Sequence, residues 1–244
     1  MNLRPIGVVR SEIRERKKML ALGAPASVEI FEEFMPGLHR MEKHSHVWVL
    51  AWLDGERDVL QVTPRGVADR SAAGLHGVFA VRSPARPNPI GLTAARVTGI
   101  DGRLIHLDRL DFIDGTEVVD VKPYFVTRDT IFSATNVQIG RSADRMALRE
   151  SLLMQAAQFH GEICEELELA VGVVERFRAE VLDLNDPPEW RIATPAHRPH
   201  VIDAIMGMTR ASLGRDSLRL HEPDCVIFTL GEQRYSYDLT PPVR

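Results

Sequence analysis

The chain has 244 residues, of which 44% are hydrophobic, 26% charged and 6% aromatic, with two cysteines and a formal net charge of −4. This composition supplies apolar residues enough for a core, and it argues against disorder as the main state, a disulfide-stapled scaffold and a global positive field for polyanions. The length predicts two domains.

The first residues, MNLRPIGVVRSEI, interrupt their apolar positions with proline and charge before a signal-peptide core could form. No run of about 18 apolar residues offers a membrane span. With only Cys164 and Cys225, a reducing compartment is expected, and the cytoplasm is the default. Residues 1–130 read as short strands at Val47–Leu53, Gly77–Ser83, Thr93–Ile100, Arg103–Leu110 and Glu117–Tyr124, each rich in β-branched or apolar residues. Asp54-Gly55, Asp101-Gly102 and Asp114-Gly115 supply turns, and the second of these predicts a hairpin. An all-β barrel or sandwich follows.

From about Ser142 the period becomes helical: Leu148, Leu152, Phe159, Ile163, Leu167, Val174, Phe177 and Val181 predict two helices broken near Gly161. Asp183–His200 is rich in proline and turn formers and is expected to be a loop. A short helix through Val201–Thr209 and strands at Ser217–Leu220, Cys225–Leu230 and Tyr235–Leu239 complete an α+β region.

The segment Gly77–Leu92, GVFAVRSPARPNPIGL, carries Pro84, Pro87 and Pro89, which fix backbone torsions and stiffen a loop. Arg82, Arg86 and Asn88 are thereby held with little entropy left to lose, suited to gripping a carboxylate, a phosphate or an adenine edge. The same residues also suit a rigid surface turn with solvated arginines. Asp54, Asp111 and Asp114 are strand-end carboxylates that either balance a bound cation or simply form turns. His46 opens an apolar strand as a candidate proton acceptor or a packed residue. Arg10–Lys18 is a basic run diluted by Glu12 and Glu15, open to a phosphate backbone, a solvated face or a dimer crossing.

Four segments in this order, Pro5–Ser11 (PIGVVRS), His44–Leu53 (HSHVWVLAWL), Gly77–Leu92 and Asp111–Tyr124 (DFIDGTEVVDVKPY), resemble the TsaA-like, or YaeB-like, family of TrmO-type tRNA methyltransferases. The resemblance implies a single-sheet β-barrel over 1–135, a homodimer, S-adenosylmethionine bound near the subunit interface, and methylation of the exocyclic amine of a modified adenosine beside the tRNA anticodon. Carried over position by position, cofactor contacts fall on Arg82, Arg86, Asn88 and Leu92, on Asp108, Arg109, Leu110 and Asp111, and on Pro25, Asp54 and Thr116. It names no catalytic residue. The chain departs from the family pattern at Ala26, where an arginine is usual, and at Asp54-Gly55, where a His-Gln pair is usual. The alternatives are a sensor that binds the cofactor without catalysis, and a methyltransferase acting on a small molecule or metallocofactor precursor.

Phe159–Gly172 and His200–Leu218 resemble, in degenerate form, the α+β domain found in the E-type subunit of formylmethanofuran dehydrogenase, here expected over 142–244. Glu162 replaces that family's second histidine, and His200 stands where it has a cysteine. Physically, His160 and Cys164 lie at i and i+4, on one face if they share a helix, and His200 offers a third ligand from a neighbouring helix, a zinc-compatible set with one position open. The competing reading is ordinary packing with satisfied hydrogen bonds. Cys225 reads as a small core hydrophobe.

Overall fold

In the computed structural model, which describes residues 2–239, apolar side chains of the N-terminal half alternate inward along six barrel strands. The strands in chain order are β1 (Gly7–Ser11), β2 (Ala24–Ile30), β3 (His46–Trp52), the short pair β4 (Gln61–Val62) and β5 (His76–Gly77), then β6 (Ile90–Asp101), β7 (Leu104–Leu110) and β8 (Glu117–Pro123). All but β4 and β5 close into an antiparallel barrel in the order β1-β2-β7-β6-β3-β8. Val9, Val28, Val47, Val49, Ile105, Leu110 and Val118 fill its interior, each at most 1% exposed. Side chains of this kind each contribute roughly 1.5–3 kcal/mol on burial. The expected hairpin is present: Asp101 pairs with Leu104 across a two-residue turn at Gly102-Arg103. A short helix, α1 (Val126–Asp129), follows β8.

This barrel belongs to one compact unit, Met1–Pro64 with Asp69–Ser133; the second comprises Arg65–Ala68 with Ala134–Arg244, of which 240–244, the end of the region expected over 142–244, lie outside the described residues. The second unit contains α2 (Arg145–His160), α3 (Glu165–Val181), β9 (Ile192–Pro195), α4 (Pro199–Thr209), β10 (Leu218–His221), β11 (Cys225–Leu230) and β12 (Gln233–Asp238). Its sheet runs β10-β9-β11-β12, with the first pair parallel and the others antiparallel. Leu148, Leu152, Leu167, Val174 and Ile205 form one core with the sheet residues, and Phe177 stacks on Phe228 at 4.2 Å between ring centroids. Among the described residues no helix is long and apolar enough to cross a membrane.

Several features differ from the sequence expectation. Beyond Gly77 the predicted strand Gly77–Ser83 gives way to turns, because the guanidinium of Arg86 donates to the Val78 and Val81 carbonyls that a ladder would need. β1 and β2 lie outside the strands that the sequence predicts: β1 is short, with only Val8 and Val9 as strand formers, and in β2 Pro25 and its alanine neighbours have low strand propensity, a register shift between Ala24 and Ala26 accommodating the proline. β9 lies inside the expected loop Asp183–His200, since Ile192 and Thr194 are buried between two partner strands. Ile163 is 57% exposed because it falls in the turn between α2 and α3.

Gly23, entering β2, has φ +82°, and an added Cβ would lie 2.7 Å from the Leu110 carbonyl oxygen. Gly23→Ala is therefore expected to lower stability by more than about 2 kcal/mol, combining left-handed strain with displacement of that carbonyl. Gly77→Ala, whose Cβ would meet nothing within 4 Å, is the control in the same thermal unfolding experiment. Equal midpoints for the two variants would refute this account.

Candidate functional site

Antiparallel pairing brings the end of β3 beside the start of β6, through Trp52↔Ile90, and the start of β2 beside the end of β7, through Ala24↔Leu110. The same rim holds the start of β8, through Trp52↔Glu117. Pro25, Asp54, Leu92, Leu110, Asp111 and Thr116 thus sit on, or one to three residues from, strand ends that share one end of the barrel. The proline-stiffened loop is tied to this rim where Leu53 N–H donates to the Pro89 carbonyl at 2.7 Å.

The side chains at the rim divide by what already engages them. Arg86 spends its guanidinium on the loop itself, with Nε donating to the Ser83 carbonyl at 2.7 Å and Nη2 to Val78 and Val81. It shapes the loop. Arg82 is exposed and, among the described residues, has no side-chain hydrogen bond or salt bridge. Asn88 is exposed, and its carbonyl accepts from Ile90 N–H at 2.8 Å. Leu92, opposite Leu50 on β3, is 40% exposed. The Leu110 side chain is fully buried, so only its backbone is available to a ligand. Asp111 accepts from the Thr93 hydroxyl, and the Thr116 hydroxyl donates to the Ile113 carbonyl at 2.7 Å. The Asp54 carbonyl accepts from Arg16 at 2.9 Å. Asp114 accepts from Ser11 N–H at 3.1 Å, the turn-forming role.

Further along the barrel wall, His46 faces Arg96 across β3 and β6, and Asp108 on β7 accepts from Arg96 N–H at 2.8 Å. Arg109 follows on the same strand. Ser45 Oγ lies 2.9 Å from His46 Nδ1. Partial burial is the main cause that holds the His46 imidazole below its ordinary value; Asp108 opposes this, and Arg96 and Arg109 reinforce it. These causes together favour the neutral imidazole.

A cavity of about 520 Å³ opens beside β1, β2 and β7, lined by Arg10, Arg14, Pro25, Ser27, His106 and Asp114 among others. Ser27 Oγ lies 2.8 Å from His106 Nδ1 within it. Of the predicted cofactor residues only Pro25 lines this space. Ser27 and His106 were not singled out from the sequence; only the alternation of His106 with buried Ile105 and Leu107 marks the histidine as outward-facing. The basic run is largely consumed locally: Arg10 pairs with Glu29 at 2.6 Å, Arg14 with Asp114 at 3.7 Å and Lys18 with Glu15 at 2.6 Å.

In the second unit the three candidate ligands come together. Cys164 Sγ lies 3.9 Å from His160 Nε2 and 3.7 Å from His200 Nδ1, and the two imidazole nitrogens are 2.9 Å apart. The two do not share a helix, in keeping with the break expected near Gly161: His160 ends α2 and Cys164 is the N-cap residue of α3. Gly161, with φ +97°, terminates α2 between them. A residue missed from the sequence, Asp203, holds His160 Nδ1 at 3.1 Å. Its spacing from His200, i to i+3 on α4, is the signal that would have found it.

Comparison with known proteins finds a family model, described as the tRNA-methyltransferase O N-terminal domain, matching residues 12–130. A probable S-adenosyl-L-methionine-binding protein of Archaeoglobus fulgidus is 36% identical over 229 residues, covering 89% of this chain and 60% of the relative. The aligned length exceeds the barrel unit, so the similarity continues into the second. A probable S-adenosyl-L-methionine-binding protein of Methanothermobacter thermautotrophicus is 39% identical over 136 residues, 54% of this chain and 95% of the relative. A mouse tRNA (adenine(37)-N6)-methyltransferase is 38% identical over 101 residues, 41% of this chain and 23% of that enzyme.

The His46 environment has a measurable consequence. Its imidazole C–H resonances are expected to titrate with a midpoint below 6.5, and Asp108→Asn is expected to move the midpoint lower by removing the charge that favours imidazolium. Because the folded value is depressed, the unfolded chain binds the extra proton first as pH falls below 6.5, so this site's contribution to stability is complete above 6.5 and declines below it. A midpoint at or above 6.5 contradicts the assignment.

Proposed function

The chain belongs to the family of the tRNA-methyltransferase O N-terminal domain, and on that premise we propose that it is an S-adenosylmethionine-dependent methyltransferase whose cofactor lies at the barrel rim. The methyl acceptor in this reading is the exocyclic amine of a modified adenosine next to the tRNA anticodon. The observation that carries the proposal is the gathering, by strand pairing alone, of residues scattered from Pro25 to Thr116 onto one end of the barrel.

The residues present fit the cofactor chemically. A sulfonium nucleoside with an amino-acid tail needs apolar surface, a carboxylate partner and a cation for its own carboxylate. The rim supplies exposed Leu92 and the Asp54 and Asp111 carboxylates, and the loop tied to it supplies Arg82, which has no side-chain partner among the described residues. S-adenosylmethionine, when bound, supplies a methyl group already activated on sulfur, so no metal is required for transfer. The protein's task is alignment and exclusion of water. Arg82, on a loop braced by Arg86 and three prolines, grips the carboxylate at low entropic cost. Asp111, oriented by Thr93, holds a ribose hydroxyl or amino group or balances the positive charge. His46, whose neutral form its surroundings favour, is available to take a proton from an acceptor amine.

The active form in this reading is a homodimer. The segment after β8 supports it, leaving Val126, Ile131 and Phe132 each at least 65% exposed, apolar surface of the kind a partner subunit covers.

Calorimetric titration with S-adenosylmethionine is expected to show saturable binding that Arg82→Ala weakens about tenfold or more, as for loss of a charge-assisted hydrogen bond. Labelled methyl should enter bulk tRNA from cells lacking the family's usual enzyme. Binding without transfer would indicate the sensor or another acceptor, and absence of binding would overturn the proposal. Light scattering is expected to give twice the chain mass; a monomer would remove the dimer from this reading.

A further inference from the structure

We propose that the second unit holds a zinc-class divalent cation on His160, Cys164 and His200, with Asp203 as the outer carboxylate and a fourth coordination position open to solvent. This site is independent of the methyl-transfer reading, since every residue in it lies outside the barrel unit.

Three helix ends converge to build it. His160 is the last residue of α2, Cys164 caps the start of α3, and His200 is the second residue of α4, directly after the N-terminal proline Pro199. α4 approaches α2 closely because Gly207 has no side chain: an added Cβ would sit 2.7 Å from Phe159 Cβ and 2.9 Å from the Gln155 carbonyl oxygen. Arg198, the residue before α4, donates to Glu166 in the first turn of α3 at 3.2 Å and clamps the helix starts that carry Cys164 and His200. The ligand positions are thus fixed by packing, as a preorganised site requires.

The geometry is that of a coordination sphere. At zinc's bond lengths a tetrahedral centre separates two ligand nitrogens by about 3.3 Å and a nitrogen from a sulfur by about 3.6 Å. Here the nitrogens are 2.9 Å apart and the sulfur lies 3.7 and 3.9 Å from them. All three atoms fall within 4.8 Å of one another. Cys164 Sγ is within 0.2 Å of equidistant from the two imidazole nitrogens, as a ligand sharing one ion with both would be. Asp203 accepts from His160 Nδ1 at 3.1 Å, fixing the tautomer that leaves the Nε2 lone pair facing Cys164 and His200. This carboxylate–histidine pairing is the outer-shell partner that metal-bound histidines use. The mixed nitrogen and sulfur donors select a borderline-soft ion over magnesium or calcium. Three protein ligands, with His200 exposed, leave the fourth position to water or an exchangeable ligand, as in reactive rather than purely structural zinc sites.

The test uses the full chain, stripped with chelator and titrated with Zn²⁺ in competition with an indicator, and separately with Co²⁺ as a spectroscopic probe. One ion per chain is expected, with a thiolate-to-cobalt charge-transfer band that disappears in Cys164→Ser and persists in Cys225→Ser. Asp203→Asn should keep the cobalt band while weakening zinc affinity about 10–100-fold. His200→Asn, with circular dichroism as the folding control, should also weaken binding, and it keeps the proposal testable even if Cys164→Ser fails to fold. Less than stoichiometric binding, a band that survives Cys164→Ser, or unchanged affinity in folded His200→Asn would overturn the proposal.

Discussion

The barrel depends on one seam, where β1 meets β8. Gly7 and Val8 pair with Val118 and Glu117, and hydrogen bonds from Ile6 N–H to the Val118 carbonyl and from Val9 N–H to the Thr116 carbonyl continue the ladder on either side. Without this seam the six strands would be an open sheet with two unpaired edges, each with backbone donors and acceptors left to water or to other chains. Closure also curves the sheet enough to bring the ends of β2, β3, β6 and β7 and the start of β8 to a common rim. The candidate cofactor site is a by-product of that curvature, because its residues are separated by up to 91 positions, from Pro25 to Thr116.

Within that rim, the proline loop shows how one segment divides its polar groups between support and function. Val78 is buried and Phe79 is 85% exposed, yet neither belongs to a strand. Arg86 replaces the missing ladder by collecting carbonyls from its own loop, which leaves Arg82 as the loop's other guanidinium, with no side-chain partner among the described residues. A loop held by internal hydrogen bonds and proline torsions orders a ligand at lower entropic cost than one that must first be immobilised.

The second unit applies a similar economy to helix ends. Gly161 stops α2, Pro199 starts α4, and Gly207 lets the two approach, so three potential metal ligands from separate helices meet without a dedicated loop. The core behind them, with Phe177 stacked on Phe228 and Leu148, Leu152 and Leu167 fully enclosed, gives these ends a rigid base.

What could be read from the sequence follows from how local each signal is. Strands β3, β6, β7, β8, β11 and β12, the hairpin at Gly102-Arg103 and the two helices broken at Gly161 are all written in short-range alternation, period and turn chemistry, and the family motifs named the barrel. β2 and β9 were illegible because Pro25, the adjoining alanines and the proline-rich 183–200 stretch have weak strand propensity, and β1 because its five residues hold only Val8 and Val9 as strand formers; pairing with distant partners made them strands. The fate of Gly77–Ser83 was likewise decided by Arg86, several residues downstream, competing for its carbonyls. His160 and Cys164 could be seen as a pair four apart on either side of that break, but the meeting of their donor atoms with His200 depended on the packing of α4 against α2. Sequence by itself determined which residues have the chemistry to bind a cofactor or a metal. Only the tertiary structure decided which of them are free to use it, because hydrogen bonding and burial, as at Arg86 and Leu110, commit side chains in ways that no local pattern records.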